Sequence, residues 1–200
     1  MTDTQNKLSQ VRSVLVRRGL DAALIKRIAN FAWLTDGAAN YVGIAAEVGA
    51  ASLLITPDAQ YVLASNIEAT RLAAEELLAA RGFAIRPGPW HEPSSILAEL
   101  ARGLRLGADA PHPDAADLSD DFNRLRLRLT PAEGERFRLL GRACAQAMDA
   151  AIRQVRPGMT EYEIAGLLSD QTYAQGAVPI VNLIATDERV FRFRHPLPTS

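Results

Sequence analysis

Cysteine is nearly missing from this chain. Cys144 is the only one in 200 residues, which excludes an internal disulfide and any cluster of thiolate ligands, and leaves a reducing, cytoplasmic compartment as the simplest reading. An excess of charge of one sign is missing too. With 22 Lys and Arg against 23 Asp and Glu the formal charge is -1, so the overall field favours neither a nucleic-acid backbone nor an anionic membrane. No apolar run reaches the length of a bilayer span, and the opening residues MTDTQNKLSQ contain no apolar segment behind a basic start. Neither a membrane nor a nucleic acid is therefore expected as a partner.

The common catalytic signatures are also lacking. There is no Gly-x-Ser-x-Gly elbow, no phosphate-cradling glycine loop and no dinucleotide fingerprint. His91-Glu92-Pro93-Ser94-Ser95 begins like a zinc-protease helix, but Ser95 stands where the second histidine belongs and Pro93 would break the helix. His112 lies between two prolines with no Cys or His at ligand spacing, and reads as a loop residue. Asp120 and Asp121 read as a solvated helix start rather than paired acids. Arg124, Arg126 and Arg128 alternate with leucines without interleaved aromatics, which suits an inter-domain segment with exposed arginines better than a nucleic-acid strip.

What is present is a chain with 48% hydrophobic and 22% charged residues, enough for one buried core or for one domain and part of another. Leu8, Val11, Val14 and Leu15 recur at helical spacing and Gly19 follows as a left-handed stop, so a helix is expected over 5–18. A strand at Ala22–Ile25 and a short helix from Ile28 closed by Gly37 come next, with Phe31, Trp33 and Leu34 turned to the core. Ala51–Thr56 and Tyr61–Ala64 flank Pro57-Asp58-Ala59-Gln60 and predict a hairpin. Asn66 is placed to cap a helix carrying Leu72, Leu77 and Leu78 inward and ending near Gly82, followed by a strand at Phe83–Arg86. Pro87, Pro89 and Pro93 should interrupt regular structure before a helix opening at Ser94 or Ser95 and running to about Arg102. Leu106–Asp109 is a strand candidate, and an irregular stretch should start at Pro111. Strands alternating with helices, and one hairpin, predict an α/β fold with a mixed sheet.

Thr130-Pro131-Ala132-Glu133 marks the sharpest boundary, a capping box with proline at the first helical position. Phe137, Leu140, Cys144, Met148, Ile152 and Val155 then follow at spacings of three and four, predicting a long helix with one buried stripe and Cys144 within it. Pro157-Gly158 ends that helix. Thr160-Glu161-Tyr162-Glu163 starts a second one that should stop at Gly176, and Val178–Thr186 reads as a strand turning at Asp187-Glu188-Arg189.

The run Leu129-Thr130-Pro131 through Glu135, the junction Val155-Arg156-Pro157-Gly158-Met159-Thr160-Glu161 and Glu163-Ile164 resemble the pita-bread metallopeptidases, the family of creatinase, prolidase and aminopeptidase P. Arg18-Gly19-Leu20-Asp21-Ala22, Ala29–Thr35 and Pro89-Trp90 agree with the layout of the same family's N-terminal half. The resemblance implies a creatinase-type α/β domain over 1–128 that helps build a dimer, and over 129–200 the truncated start of a pita-bread domain, two helices and a strand. It also implies a divalent metal pair held by two Asp, one His and two Glu, which together activate a bridging water. All of these ligands would lie beyond Ser200, so no metal ligand and no catalytic residue is assigned within the chain and no cofactor is expected in it. Only His195 has an implied counterpart, a substrate-contacting histidine. Its surroundings, Arg192-Phe193-Arg194-His195-Pro196-Leu197-Pro198, depart from the peptidase pattern, and a solvent-exposed tail is the competing reading. The expectation is a truncated or degenerate Xaa-Pro peptidase relative, inactive alone, with an auxiliary or dimerising role. The alternative is one part of a metal-dependent peptidase completed by a missing segment or a separate chain.

Overall fold

The computed structural model describes residues 2–200. They form two compact units, one ending at Arg128 and the other comprising Leu129–Ser200.

In the first unit, helix α1 (Asp3–Arg18) starts with a capping box between Thr2 and Gln5 and ends on Gly19 at φ 64°. It begins two residues earlier than the apolar spacing indicated, because the cap and not the first leucine sets the start. Its inner face buries Leu8, Val11, Val14 and Leu15. Lys7 is buried among them. Its ammonium reaches Asp3 at 3.0 Å, Asp36 at 3.2 Å and the Trp33 carbonyl at 2.9 Å, which is what makes a buried lysine tolerable.

Strand β1 (Ala22–Arg27) leads directly into α2 (Ile28–Leu34), and Phe31 and Leu34 are fully buried while Trp33 is partly so. The hairpin consists of β2 (Val48–Ile55) and β3 (Gln60–Ser65), paired antiparallel with Leu53 opposite Val62. Helix α3 (Asn66–Glu75) follows at once. Its cap is Ser65, whose hydroxyl accepts from the Glu68 N–H, and not Asn66, whose side-chain oxygen accepts from the Trp90 N–H. Leu77 also departs from expectation. It lies beyond the helix at φ 51° and is 60% exposed, whereas Leu72 and Leu78 are buried.

Strand β4 (Ala84–Gly88) runs through Pro87 instead of stopping before it. Proline fits there because β4 is an edge strand, where a missing N–H breaks no ladder bond. After α4 (Ser95–Leu100) come β5 (Leu106–Ala108), β6 (Ala116–Asp117) and α5 (Ser119–Arg126). The stretch expected to be irregular thus contains a short strand, while the helix start read at Asp120 and Asp121 is that of α5. Asp121 on α5 is not solvated: it is buried and receives Arg17 at 2.9 Å and Arg18 at 3.1 Å. Phe122 is buried as well, edge-on to Trp33 at 6.4 Å.

The sheet order is β4-β3-β2-β1-β5-β6. Only β2 opposes its neighbours; β1, β3, β4, β5 and β6 point the same way. Ala23, Ile25, Leu53, Ile55 and Val62 face one side, where they join the buried apolar cluster with the stripe of α1 and with Phe31 and Leu72. This is the mixed α/β sheet flanked by helices that the alternation of elements implied.

The second unit holds α6 (Pro131–Ile152), α7 (Glu161–Ala174) and the short α8 (Arg189–Arg192). Both long helices open with capping boxes, Thr130 with Glu133 and Thr160 with Glu163. They pack through small residues, with Ala147, Ala151 and Ala165 buried. The stripe expected inside lies outside: Phe137 is 61% exposed, Ile152 62%, and Leu140, Cys144 and Met148 are exposed too. Nothing among the described residues of this unit covers that face. Val178–Thr186 forms no strand, because no neighbouring strand pairs with it, and α8 follows the turn at Asp187.

Gly107 on β5 leaves no room for a side chain. A Cβ there would meet Leu118 at 2.6 Å and Leu20 at 2.7 Å. Gly107→Val should therefore destabilise the full chain by about 1–3 kcal/mol in denaturant unfolding. Unchanged stability would contradict this packing.

Candidate functional site

Two buried carboxylates organise the parts of the chain from which a site can be built. The first is Asp109, fully buried just past β5. Its oxygens accept from the Lys26 N–H at 2.7 Å, the Arg27 N–H at 3.1 Å and the Asn30 side chain at 2.8 Å, while its own carbonyl accepts from Arg27 Nε at 2.7 Å. These donors lie where β1 breaks its pairing with β2, a register shift between Ile25 and Arg27. The irregularity frees the Lys26 and Arg27 amides from the ladder and turns them to Asp109. Asn30 is held in turn by Arg126 at 3.0 Å. Arg27 also pairs with Glu47.

The second carboxylate is Glu161, the first residue of α7 and 3% exposed. It accepts from the N–H and hydroxyl of Thr186 at 2.8 and 3.3 Å, from Arg189 at 3.0 Å, and from the N–H and hydroxyl of Thr199 at 2.9 Å each. Arg189 also donates to the Leu197 carbonyl and lies over the Phe193 ring. Glu161 thereby clasps the segment after α7 at both ends. Burial pushes its carboxyl up, but the donors from Thr186, Thr199 and Arg189 outweigh burial and lower the pKa from 4.5 to about 2.

His195 lies inside this clasped segment, between Arg189 and Thr199, and its ring is exposed in a bend. Among the described residues Glu161 makes no hydrogen bond to it. His91 is exposed and edge-on to Trp90 in the turn before α4, and His112 is half-buried in the loop after β5. His91 and His112 belong to the first unit and His195 to the second.

The metal pair implied by the family resemblance finds no fitting ligands among the described residues. No three His, Cys, Asp or Glu side chains converge there, and the oxygens of Asp109 and Glu161 are already occupied by N–H and O–H donors. A carboxylate whose lone pairs point at protein donors is built to hold chain segments.

Sequence reasoning passed over both carboxylates. Glu161 stands beside the capping-box residue Glu163 and has no local distinction, since its partners are 25 to 38 residues away. In the sequence Asp109 reads only as the end of a strand. A lone apolar-flanked acid is the one signal that could have marked it.

The first unit defines a mixed α/β domain with a six-stranded sheet. The family model for the creatinase/prolidase N-terminal domain matches residues 7–139, more than half of the chain. The chain belongs to that family. Among solved structures it is similar to the prolidase from Pyrococcus horikoshii OT3, at 16% identity and a TM-score of 0.63, over 84% of this chain and 48% of that one. It is likewise similar to an Xaa-Pro dipeptidase from Bacillus anthracis, at 17% identity and a TM-score of 0.60, over 86% and 49%. An X-Pro aminopeptidase from Thermotoga maritima MSB8 matches at 16% identity and 0.60, over 84% and 49%. At such identities the likeness establishes the fold, and the chain spans about half the length of these structures. No curated protein sequence matches the chain. Among the described residues no helix is long and apolar enough to cross a membrane.

Because the folded pKa of Glu161 is depressed, its contribution is present in full above the unfolded value of 4.5 and is lost as pH falls through about 2. The protection of amides over residues 178–199, taken relative to intrinsic exchange at each pH, should fall between those values in the wild-type chain. In Glu161→Gln the same segment should exchange faster already at neutral pH and respond less to acid. Identical exchange profiles for the two proteins would show that the clasp does not hold the segment.

Proposed function

We propose that this chain is a truncated or degenerate relative of Xaa-Pro peptidases, without catalysis of its own, and acts as an auxiliary, self-associating module. The observation that carries the reading is the exposed stripe Phe137, Leu140, Met148 and Ile152 along α6. A continuous apolar face on a 22-residue helix favours coverage by another surface, because apolar area left in water is unfavourable in proportion to its extent. A second copy of the chain is the simplest cover, giving a closed twofold dimer. Membership in the creatinase/prolidase N-terminal family and the saturated state of both buried carboxylates support a scaffolding role over a chemical one. A cytoplasmic location belongs to the same reading, from the single exposed Cys144 and the absence of disulfides among the described residues.

A second reading is favoured by coverage: the matched prolidase and dipeptidase structures are about twice as long as the part matched here. In it the chain is one part of a metal-dependent Xaa-Pro peptidase, and a further segment or a separate chain supplies the catalytic residues. In this reading His195 contacts the substrate.

Sedimentation at micromolar concentration should show a dimer, and the purified chain with added divalent metal should not hydrolyse Xaa-Pro dipeptides. A strict monomer would remove the self-association, and metal-dependent hydrolysis would remove the non-catalytic assignment. Co-purification with a metal-binding polypeptide that confers hydrolysis would establish the second reading.

A further inference from the structure

A recess of about 300 Å³ opens on the sheet face opposite the main core, at the carboxyl ends of the strands that run the same way. In open α/β sheets that is the edge where strands stop and connecting loops diverge, leaving a crevice suited to ligands. Here the hollow has a cause in the sequence. Ala50 and Ser52 on β2, Ser65 on β3 and Gly88 on β4 put small side chains, or none, where the sheet would otherwise be filled. Their pairing makes them contiguous, with Ser52 opposite Leu63 and Ser65 opposite Gly88. Gly88 also lets α4 settle close, since a Cβ there would meet Ile96 at 2.7 Å. Ile96 and Leu97 of α4, with Leu24 and Leu63, form an apolar wall.

The polar end of the recess is formed by Lys26 and His112. Lys26 sits in the irregularity that Asp109 stabilises, and its ammonium donates to the Pro111 carbonyl at 2.9 Å. An ammonium carries three N–H donors, so two remain for a ligand. Among the described residues the Lys26 ammonium forms no ion pair with a carboxylate, and no Asp or Glu lines the recess. Burial, then the nearby Lys26 charge, push the His112 pKa down, while Asp114 acts in the opposite sense, so the imidazole stays neutral at pH 7 and can donate one hydrogen bond. One cation, neutral donors and an apolar wall select a particular chemistry. The carboxylate of a ligand would neutralise Lys26, and a short branched chain would fill the space over the small residues. A ligand carrying its own ammonium would find repulsion from Lys26 and no anion to receive it.

We propose that this recess binds a small monocarboxylic acid with a short apolar chain and no amino group, held through Lys26. This assignment does not depend on the proposed function, since every residue it uses lies in the first unit and none belongs to the stripe on α6.

The test is a titration of the full chain with isocaproate, read by calorimetry and by amide chemical shifts. Saturable binding is expected, with shifts at Lys26, Ser52 and His112. Acetate, the corresponding alcohol and leucine should each bind at least about tenfold more weakly, since each lacks the chain, the charge or the freedom from an ammonium. Lys26→Met should weaken isocaproate by about tenfold or more with the circular dichroism spectrum unchanged. If that variant does not fold, Ser52→Leu, which fills the floor and keeps Lys26, should abolish binding. The proposal is overturned by no saturable binding to the wild-type chain, by the alcohol or leucine binding as tightly as isocaproate, or by undiminished affinity in a folded variant.

Discussion

The arrangement of the first unit depends on one buried carboxylate. Asp109 receives the backbone of Lys26 and Arg27 and the side chain of Asn30, and so fixes the point where β1 ends and α2 begins. Without those acceptors the two amides freed by the register shift would be buried and unpaired, a cost that a strand junction cannot absorb. The same bonds tie β5 to β1 beyond their three paired residues. They also fix Lys26 above the loop that carries His112.

The second unit solves a similar problem with Glu161. A segment of more than twenty residues after α7 has no strand partner and little apolar cover, yet it is anchored because one carboxylate satisfies donors from Thr186, Arg189 and Thr199. The two acids differ in what they order. Asp109 joins elements of a packed sheet, and Glu161 holds a chain segment that has no sheet to join. Both are placed in the interior by their partners, and in each both oxygens accept from protein donors.

Much of the fold was legible in the residues. The stripe of α1 with Gly19, the hairpin around Pro57-Asp58, and the capping boxes at Thr130 and Thr160 all appear where the sequence put them, because each is a local rule satisfied within a few residues. The misreadings share a cause. Pro87 reads as a break in the sequence because its position on an edge strand is a property of the sheet. Asp121 reads as solvated because Arg17 and Arg18 lie about a hundred residues earlier in the chain. The apolar stripe of α6 reads as buried because periodicity reports which side chains share a face and is silent on whether anything covers it.

By itself the sequence determined α1, the hairpin, α6 and α7 and the mixed α/β class, which follow from spacing, caps and turn residues acting over one or two turns of chain. The family was legible in the residue runs that resemble it. Only the tertiary structure decided which acids are buried, which lysine faces a hollow and which apolar face stays open. Each of these depends on side chains brought together from distant positions, and burial and hydrogen-bond partnership are properties of that assembly, not of any one segment.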